Sequence, residues 1–297
     1  MSLSPNLVYL ALIVEHGSFA AAAARLQMTP STLSRAVRRL EHELHLELAV
    51  RDGRAITLTT AGEVLANHAR LAVEQMRQGL NEASQAGGRP VIRVGLLQSL
   101  GADYVPAVVS DFLADHPDVQ FFFREGSGYR LEQMLVDGEI DLALIAPPPD
   151  NDALVSAVLF PQHIDVVVAQ DSVLARRSTV DLRELEQESF ILTESGYGIR
   201  DVVDALFRTA GYEPKVIMET TNLAMAAALA AAKIGVALGP PMPDGITGVV
   251  RIPVADETAR RDVAICTRKS TAPSPHLDAF VEHVRTHPAG TASGARR

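Results

Sequence analysis

The amino-acid sequence predicts an α/β protein in two parts, a helical N-terminal part followed by a larger body of strands and helices. Residues 86–90 read Ala-Gly-Gly-Arg-Pro, a run of small and helix-breaking residues that is typical of a domain boundary. Before this boundary, apolar residues recur almost entirely at helical spacing. After it, short β-branched runs alternate with helical segments, which indicates βαβ units and a parallel sheet.

Composition and charge exclude several classes of protein. Of the 297 residues, 47% are hydrophobic and 21% are charged, as in globular proteins. No apolar run approaches the roughly 18 residues of a membrane span, and Glu15 interrupts the one candidate for a signal peptide. Cys266 is the single cysteine, so an intrachain disulfide is excluded. We therefore expect a cytoplasmic protein with no membrane association.

The charge is distributed unevenly along the chain. Residues 1–90 hold nine arginines and eight acids, a formal charge of +1, whereas the remaining residues carry −10. The acidic body argues against nucleic-acid binding over the whole surface, but a small DNA-binding domain at the N-terminus is compatible with it.

The first motif is a pair of helices joined by a tight turn. Helical periodicity predicts a helix over residues 3–14, and Ser18 is a favourable N-cap for the next helix, over residues 19–26. Thr29 caps a third helix, with Pro30 at its first position. Its apolar residues are spaced by four, three and four, and they form one buried stripe: Leu33, Val37, Leu40 and Leu44.

The opposite face of this third helix is polar and basic. It carries Ser31, Ser34, Arg35 and Arg38. Two short helices with such a face on the second are typical of a helix-turn-helix that binds DNA, although an ordinary helical hairpin with a solvated face gives the same pattern. Residues 49–59 then predict a basic hairpin with its tip at Arg51–Arg54, the wing of a winged helix-turn-helix.

A long helix is expected after the hairpin. Thr60 and Glu63 have the spacing of a capping box, and the helix is predicted to end near residue 84. Apolar residues follow it at near-heptad spacing and call for a partner helix, which predicts a dimerisation seam at Leu65, Ala69, Ala72, Met76 and Leu80.

At this point the chain resembles the LysR-type transcriptional regulators. The segments SFAAAAARL (18–26), LSR (33–35), RRLE (38–41), RxxR (51–54) and LTxAG (58–62) occur in the order and spacing of that family. The resemblance implies contacts with double-stranded DNA from Ser18, Thr29, Pro30, Ser31, Thr32, Ser34, Arg35, Arg38, Arg39, Arg51 and Arg54. It also implies a homodimer, assembled further into a dimer of dimers, and RNA polymerase as a further partner.

The chain departs from the family pattern at three positions. Pro30-Ser31 stands where the family has Gln-Pro, Ala36 replaces a glutamine, and Ala49 replaces a phenylalanine. The first two departures remove long amide side chains that read base edges, so more of the sequence recognition falls to Arg35 and to DNA shape.

The body resembles the family's effector-binding region, two α/β lobes arranged as in a periplasmic binding protein. Strands are expected at residues 91–96, 119–123, 141–145, 165–169, 216–219, 235–238 and 263–267. The domain prediction is 1–60 for the winged helix-turn-helix, with the helix-turn-helix at about 18–37, 61–90 for the dimerisation helix and hinge, 91–287 for the effector domain and 288–297 for a disordered tail. Lobe I comprises 91–161 and 269–287, and lobe II comprises 162–268.

Four loops that precede helices define the expected effector site between the lobes. They contribute Gln98, Ser99, Leu100, Ser127, Gly128, Thr193, Tyr197 and Asn222. Hydroxyl and amide groups at helix N-termini favour a small anionic effector, although each loop alone would be an ordinary helix cap. Arg124 or Arg200 is expected to supply a counter-charge.

Other kinds of chemistry have weak support. Gly126 and Gly128 are not followed by a third glycine, so a dinucleotide fingerprint is rejected. His283 and His287 have metal-ligand spacing but no third ligand, and they are expected on the solvated surface. Cys266 lies in an apolar run and is expected to be a buried, inert thiol. We therefore expect no enzyme activity, no cofactor and no metal.

The sequence predicts a DNA-binding regulator controlled by a small effector. The alternative is a two-lobed binding protein or enzyme whose N-terminal half serves assembly only. Retardation of DNA with a steep salt dependence would discriminate between them, because only the regulator neutralises phosphates.

Overall fold

A computed structural model of the chain describes residues 6–15, 18–26, 28–52, 55–87, 89–101, 103–241, 246–269 and 274–287. The chain divides after Gly87 into two units. The predicted tail, residues 288–297, lies outside the described residues. In the part that is described, no single helix is long and apolar enough to span a membrane. The helices Leu7–Val14 and Phe19–Arg25 are long and apolar enough only when they are taken together, and the angle between them is 114°.

The N-terminal unit consists of helices and one hairpin. In chain order these are α1 (Leu7–Glu15), α2 (Phe19–Arg25), α3 (Pro30–Leu44), β1 (Ala49–Asp52), β2 (Ala55–Leu58) and α4 (Thr60–Gly87). The strands pair antiparallel with Ala49 opposite Leu58. The helices enclose a core in which Leu10, Leu33 and Leu40 are fully buried.

Side-chain caps begin the helices of this unit. The Ser18 Oγ accepts a hydrogen bond from the Ala21 N–H at 3.1 Å, and the Thr29 Oγ1 accepts one from the Thr32 N–H at 3.2 Å. Both predicted caps are confirmed. At the long helix, Thr59 rather than Thr60 is the cap, because its Oγ1 accepts from the Gly62 N–H at 3.0 Å while donating to the Glu47 carbonyl.

The second unit contains two five-stranded sheets with helices packed on them. Its elements are β3 (Val91–Leu96), α5 (Gln98–Gly101), α6 (Tyr104–Asp115), β4 (Gln120–Glu125), α7 (Gly128–Val136), β5 (Leu142–Ile145), β6 (Leu154–His163), β7 (Asp165–Ala169), β8 (Ser189–Thr193), α8 (Gly198–Ala210), β9 (Lys215–Thr220), α9 (Leu223–Ala231), β10 (Val236–Gly239), β11 (Val249–Pro253), β12 (Arg260–Arg268) and α10 (Pro275–Thr286). The strand orders are β4-β3-β5-β12-β6 and β11-β7-β10-β8-β9.

Both sheets are mixed, which corrects the prediction of a parallel sheet. The βαβ units pair parallel, β3 with β4 and β5 in the first sheet and β8 with β9 and β10 in the second. By contrast, β12 runs antiparallel to β5 and β6, and β7 runs antiparallel to β10 and β11. Strands β6, β8 and β11 were not predicted. Proline in β6 and β11 weakens the strand pattern there.

Two long strands join the lobes. The chain leaves the first sheet at the end of β6 and returns to it at the start of β12. The predicted lobe II, residues 162–268, therefore includes a strand that belongs to the first sheet. Sequence pattern could not assign β12, because its pairing with β5 joins residues more than 100 positions apart.

Candidate functional site

The solvent-exposed face of α3 carries the predicted DNA-contacting cations. Leu33, Val37 and Leu40 are at most 1% exposed and fix the helix against the core. Arg35, Arg38 and Arg39 project from the remaining surface and are exposed. The helix therefore presents guanidinium groups to solvent, where they could meet phosphates and base edges.

Hydroxyl groups cluster at the N-terminus of α3. The Thr29 Oγ1 lies 2.9 Å from both the Ser31 Oγ and the Thr32 Oγ1, and Arg35 donates through Nη2 to the Thr32 Oγ1 at 3.4 Å. Ser18 is exposed at the start of α2. Hydroxyls beside a helix N-terminus and a guanidinium are suited to a phosphate group.

A concave surface of about 360 Å³ lies between α3 and the hairpin. It is lined in part by Pro30, Ser31, Ser34, Arg35 and Arg38 of α3 and by Val50 and Ile56 of the hairpin. The Glu41 carboxylate accepts the N–H groups of Leu48 and Ala49 at 2.8 and 2.9 Å, which ties the start of the hairpin to α3. The Arg51 side chain and Arg54 lie outside the described residues.

The predicted dimerisation stripe has two environments along α4. Leu65 packs against the core of its own unit, and Ala69 is only 8% exposed. Further along the helix, Ala72 is exposed and Met76 is 70% exposed. The Leu80 side chain is not among the described ones. Leu65 and Ala69 thus already pack within their own unit. Ala72 and Met76 are exposed there and are the positions available to a partner helix.

The predicted effector loops differ in what their side chains do. Ser127 and Asn222 cap their own helices, accepting the N–H groups of Arg130 at 3.3 Å and Met225 at 2.9 Å. Ser99, Leu100 and Thr193 are at most 6% exposed. Gly128 and Tyr197 are half-buried at the starts of α7 and α8.

A buried arginine joins one of these loops to the strands that link the lobes. Arg261, at the start of β12, is 5% exposed. Its guanidinium donates to the Ser99 Oγ at 2.9 Å, to the Gln162 Oε1 at 2.7 and 3.0 Å, and to the Ala146 carbonyl at 3.5 Å. All of these acceptors are neutral.

Among the described residues, Arg261 has no negatively charged partner. Across the described ranges of the chain, no carboxylate forms an ion pair with it, and burial lowers the pKa of the guanidinium to about 10. It therefore remains protonated at neutral pH. A buried cation with neutral partners is costly, which makes its surroundings favourable for an anion.

Sequence reasoning missed Arg261 and Gln162, although one signal was present. Over residues 260–263, at the start of β12, the side chains alternate between exposed and buried, so Arg261 is in phase with the buried Val263. The expected counter-charge Arg200 is instead neutralised by Asp204 and Glu219, to which it donates hydrogen bonds. The other candidate, Arg124, is exposed on β4.

The two lobes touch at the starts of two helices. The Gln98 Oε1 accepts the N–H of Leu223, the first residue of α9, at 3.0 Å. At the start of α8, Gly198 approaches the loop after β5 so closely that a Cβ would lie 2.7 Å from the Pro147 Cδ. Of the loops predicted to face each other across the lobes, those of Gln98 and Asn222 therefore meet, at the start of α9.

The remaining candidates for chemistry have structural roles. Cys266 is fully buried beside the Ser156 Oγ, which confirms the predicted burial, and that burial raises the pKa of its thiol. His283 and His287 do not project into solvent as expected. The His283 Nε2 lies 3.2 Å from the Val108 carbonyl, and the His287 Nδ1 lies 3.7 Å from the Asp111 carboxylate, both on α6. Within the described residues, no cluster of His, Cys, Asp or Glu could hold a metal ion.

Two family models match the chain. The model of the bacterial regulatory helix-turn-helix protein, lysR family, matches residues 5–63, and that of the LysR substrate binding domain matches residues 85–289. The chain is 30% identical over 271 residues to YybE of Bacillus subtilis (strain 168), an uncharacterized HTH-type transcriptional regulator, covering 90% of this chain and 92% of the relative. It is 30% identical over 260 residues to GltC, a transcriptional dual regulator of the same organism, covering 86% and 87%.

Solved structures share the fold. Full-length CbnR in complex with its target DNA is 23% identical, with a TM-score of 0.61 and coverage of 94% of this chain and 98% of that chain. The effector binding domain of QuiR in complex with shikimate is also 23% identical, with a TM-score of 0.61, covering 65% of this chain and 94% of that chain.

A further relative is known by its sequence. The OxyR regulator of Escherichia coli (strain K12) is 25% identical over 286 residues, 94% of each chain.

Proposed function

The chain belongs to the LysR family of transcriptional regulators, which are DNA-binding proteins and not enzymes, and from that premise we propose that a small anionic effector between its lobes controls how it holds DNA. In this proposal the N-terminal unit binds specific double-stranded DNA in the cytoplasm. The effector contacts would come from Gln98, Ser99, Leu100, Ser127, Gly128, Thr193, Tyr197 and Asn222, with Arg261 as the principal counter-charge.

The observation that carries the anionic effector is the uncompensated charge of Arg261. Its guanidinium lies against Ser99, a predicted effector contact, and all its described partners are neutral. An anion near this group would form a charge-assisted hydrogen bond, roughly twice as strong as a neutral one. For an anion within hydrogen-bond distance of Arg261, the local donors set the electrostatic attraction. The net negative charge of the effector domain therefore does not prevent an anion from binding there.

The chemistry of Cys266 favours reversible binding over oxidation as the signal. Relatives of this chain include proteins named hydrogen peroxide-inducible genes activators. A peroxide-reactive cysteine needs an accessible thiolate, whereas Cys266 is fully buried and its pKa is raised by that burial. We therefore assign no redox role to the single thiol of the chain.

For DNA recognition we assign different roles to the arginines of α3. Arg35 lies one turn from the N-terminus of the helix, opposite the buried stripe, and is placed to read base edges. Arg38, Arg39 and Arg54 would hold the backbone, and the hydroxyls of Thr29, Ser31 and Thr32 would contact phosphate. Thus specificity would depend on Arg35 and overall affinity on its neighbours.

The DNA assignment is tested on a site selected from a random DNA library by the wild-type protein. Arg35→Ala should cost about 1–3 kcal/mol at that site and relax sequence preference, whereas the matched Arg39→Ala variant should weaken all sequences similarly. Gel retardation over a range of salt concentrations measures both effects. Unchanged discrimination between the selected site and random DNA in Arg35→Ala would refute the assignment.

For assembly we propose a homodimer through α4 that pairs again through the effector domains. The exposed Ala72 and Met76 lie on the face that would continue to Leu80 in such a seam. The effector domain exposes an apolar pair on one outer strand of each sheet, with Phe122 and Phe123 on β4 and Ile217 and Met218 on β9, each at least 40% exposed. These edges are suited to a second pair of chains, and RNA polymerase would be the further partner on DNA.

A further inference from the structure

One hydrogen bond in the cleft directly joins the two lobes through a side chain. Gln98 begins α5 in the first lobe, and its Oε1 accepts the N–H of Leu223 at 3.0 Å, at the first position of α9 in the second lobe. The first N–H groups of a helix have no acceptor within the helix. Asn222 satisfies the N–H of Met225 and therefore leaves the N–H of Leu223 to Gln98.

The residue next to Gln98 connects the same short helix to the buried cation. The Ser99 Oγ accepts from Arg261 at 2.9 Å, and Arg261 also donates to Gln162 on the other linking strand. Helix α5 is thus held on one side by the strands between the lobes and on the other by the start of α9. A displacement of Gln98 would therefore affect both the contact with the linking strands and the contact with α9.

We propose that Gln98 is an internal latch, whose neutral amide oxygen accepts the first N–H of α9 and is displaced by the anionic effector. The latch rests on the proposed function, since it needs an anion in the cleft. It gives the effector a second role besides filling a site, because displacing Gln98 removes a hydrogen bond that connects the lobes.

The Gln98 amide oxygen is a hydrogen-bond acceptor that an anion can displace from the start of α9. A helix N-terminus stabilises negative charge, and a charged acceptor forms a stronger hydrogen bond there than a neutral one. An amide oxygen satisfies the N–H of Leu223 when no ligand is present but is a weaker acceptor than a carboxylate. A glutamate at the same position should hold the start of α9 permanently.

The first experiment follows hydrogen exchange of the Leu223 amide in the full chain without ligand. Gln98→Ala should accelerate exchange by about tenfold, because the amide loses its acceptor. Gln98→Glu should keep the wild-type protection or increase it. Gln187, which is exposed in the second lobe, offers the matched controls Gln187→Ala and Gln187→Glu, which should leave this amide unchanged.

The second experiment titrates the same proteins with acetate and with sulfate at constant ionic strength and follows the melting temperature. Gln98→Ala should be stabilised at lower anion concentration than wild type, and Gln98→Glu should respond least. Protection of β3 amides shows that each variant is folded.

The outcomes separate the latch from the proposed function. Wild-type exchange of Leu223 in Gln98→Ala, or equal anion affinity in wild type and Gln98→Ala, would overturn the latch while leaving the anionic effector intact. If neither anion stabilises any of the proteins, the proposed anionic effector fails, and the exchange rate of Leu223 alone decides whether Gln98 joins the lobes.

Discussion

At the scale of single residues, the proposed function predicts that the buried guanidinium of Arg261 is needed for effector binding and not for stability. It is buried among neutral acceptors, and burial lowers its pKa to about 10. Replacing even a buried ion pair by apolar side chains of similar volume is often neutral or stabilising by roughly 1–4 kcal/mol, and a buried cation without a charged partner has less to lose. The Ser99 Oγ already donates a long hydrogen bond to the Gln162 Oε1 at 3.5 Å, and this bond can shorten once the arginine is gone.

We therefore expect Arg261→Met to melt at the same temperature as the wild type or several degrees higher in the absence of ligand, and to lose stabilisation by small carboxylates. Arg260→Met is the matched control, because the neighbouring arginine is exposed and its replacement should change neither property. Calorimetric melting with and without the acid measures both. A ligand-free Arg261→Met that melts far below the wild type would show that the arginine is an ordinary structural group.

At the scale of elements, the start of α4 packs closely against Leu48, the residue that precedes the first strand of the hairpin. A Cβ on Gly62 would lie 2.0 Å from the Leu48 carbonyl oxygen, so helix and hairpin approach at a distance that only glycine allows. The same helix contains Gly79, where an added Cβ would have no described atom within 4 Å outside the neighbouring helix backbone. The two glycines thus have opposite roles within one element.

Gly62→Ala should displace the hairpin from α4, lower the melting temperature of the N-terminal unit and weaken DNA binding. Gly79→Ala should instead stabilise by about 1 kcal/mol, the usual cost of glycine inside a helix. Thermal melting and gel retardation of the two variants check this contrast. Equal effects of both substitutions would contradict the close packing of α4 on Leu48.

The seam along α4 is tested by Met76→Asp, since Leu65 already packs in the core of its own unit and its replacement would unfold that unit. A buried charge in the seam should separate the paired chains and reduce the sedimenting mass to half. The exposed Asn67 on the other side of the helix offers Asn67→Asp as the control of equal charge change. A wild-type mass for Met76→Asp would exclude the seam at this position.

At the scale of the whole molecule, local features were predictable and distant pairings were not. The caps at Ser18 and Thr29 and the buried stripe of α3 depend on residues within a few positions of each other. The sequence pattern predicted them correctly except at Leu44, the last residue of the helix, which is 37% exposed. The sheet membership of β12 and the partners of Arg261 depend on residues up to 162 positions away. No periodicity within a single segment contains that information.

The family resemblance located the cleft because it supplied the order of the lobes, which physical reasoning from local pattern could not. It did not supply Arg261 or Gln162, whose importance follows from burial without a counter-charge. The position of a helix N-terminus could be predicted, whereas its occupation by Gln98 from the other lobe could not.

The most direct test of the account measures DNA binding and effector binding together. A panel of small acids is first tested for the one that most raises the melting temperature of the wild type, because a ligand that binds only the folded state must do so. With the selected DNA site, this acid should change the affinity or the footprint of the wild type, and should do so far less for Ser99→Ala and Arg261→Met. Identical responses of the three proteins to that acid would contradict an anionic effector held between the lobes.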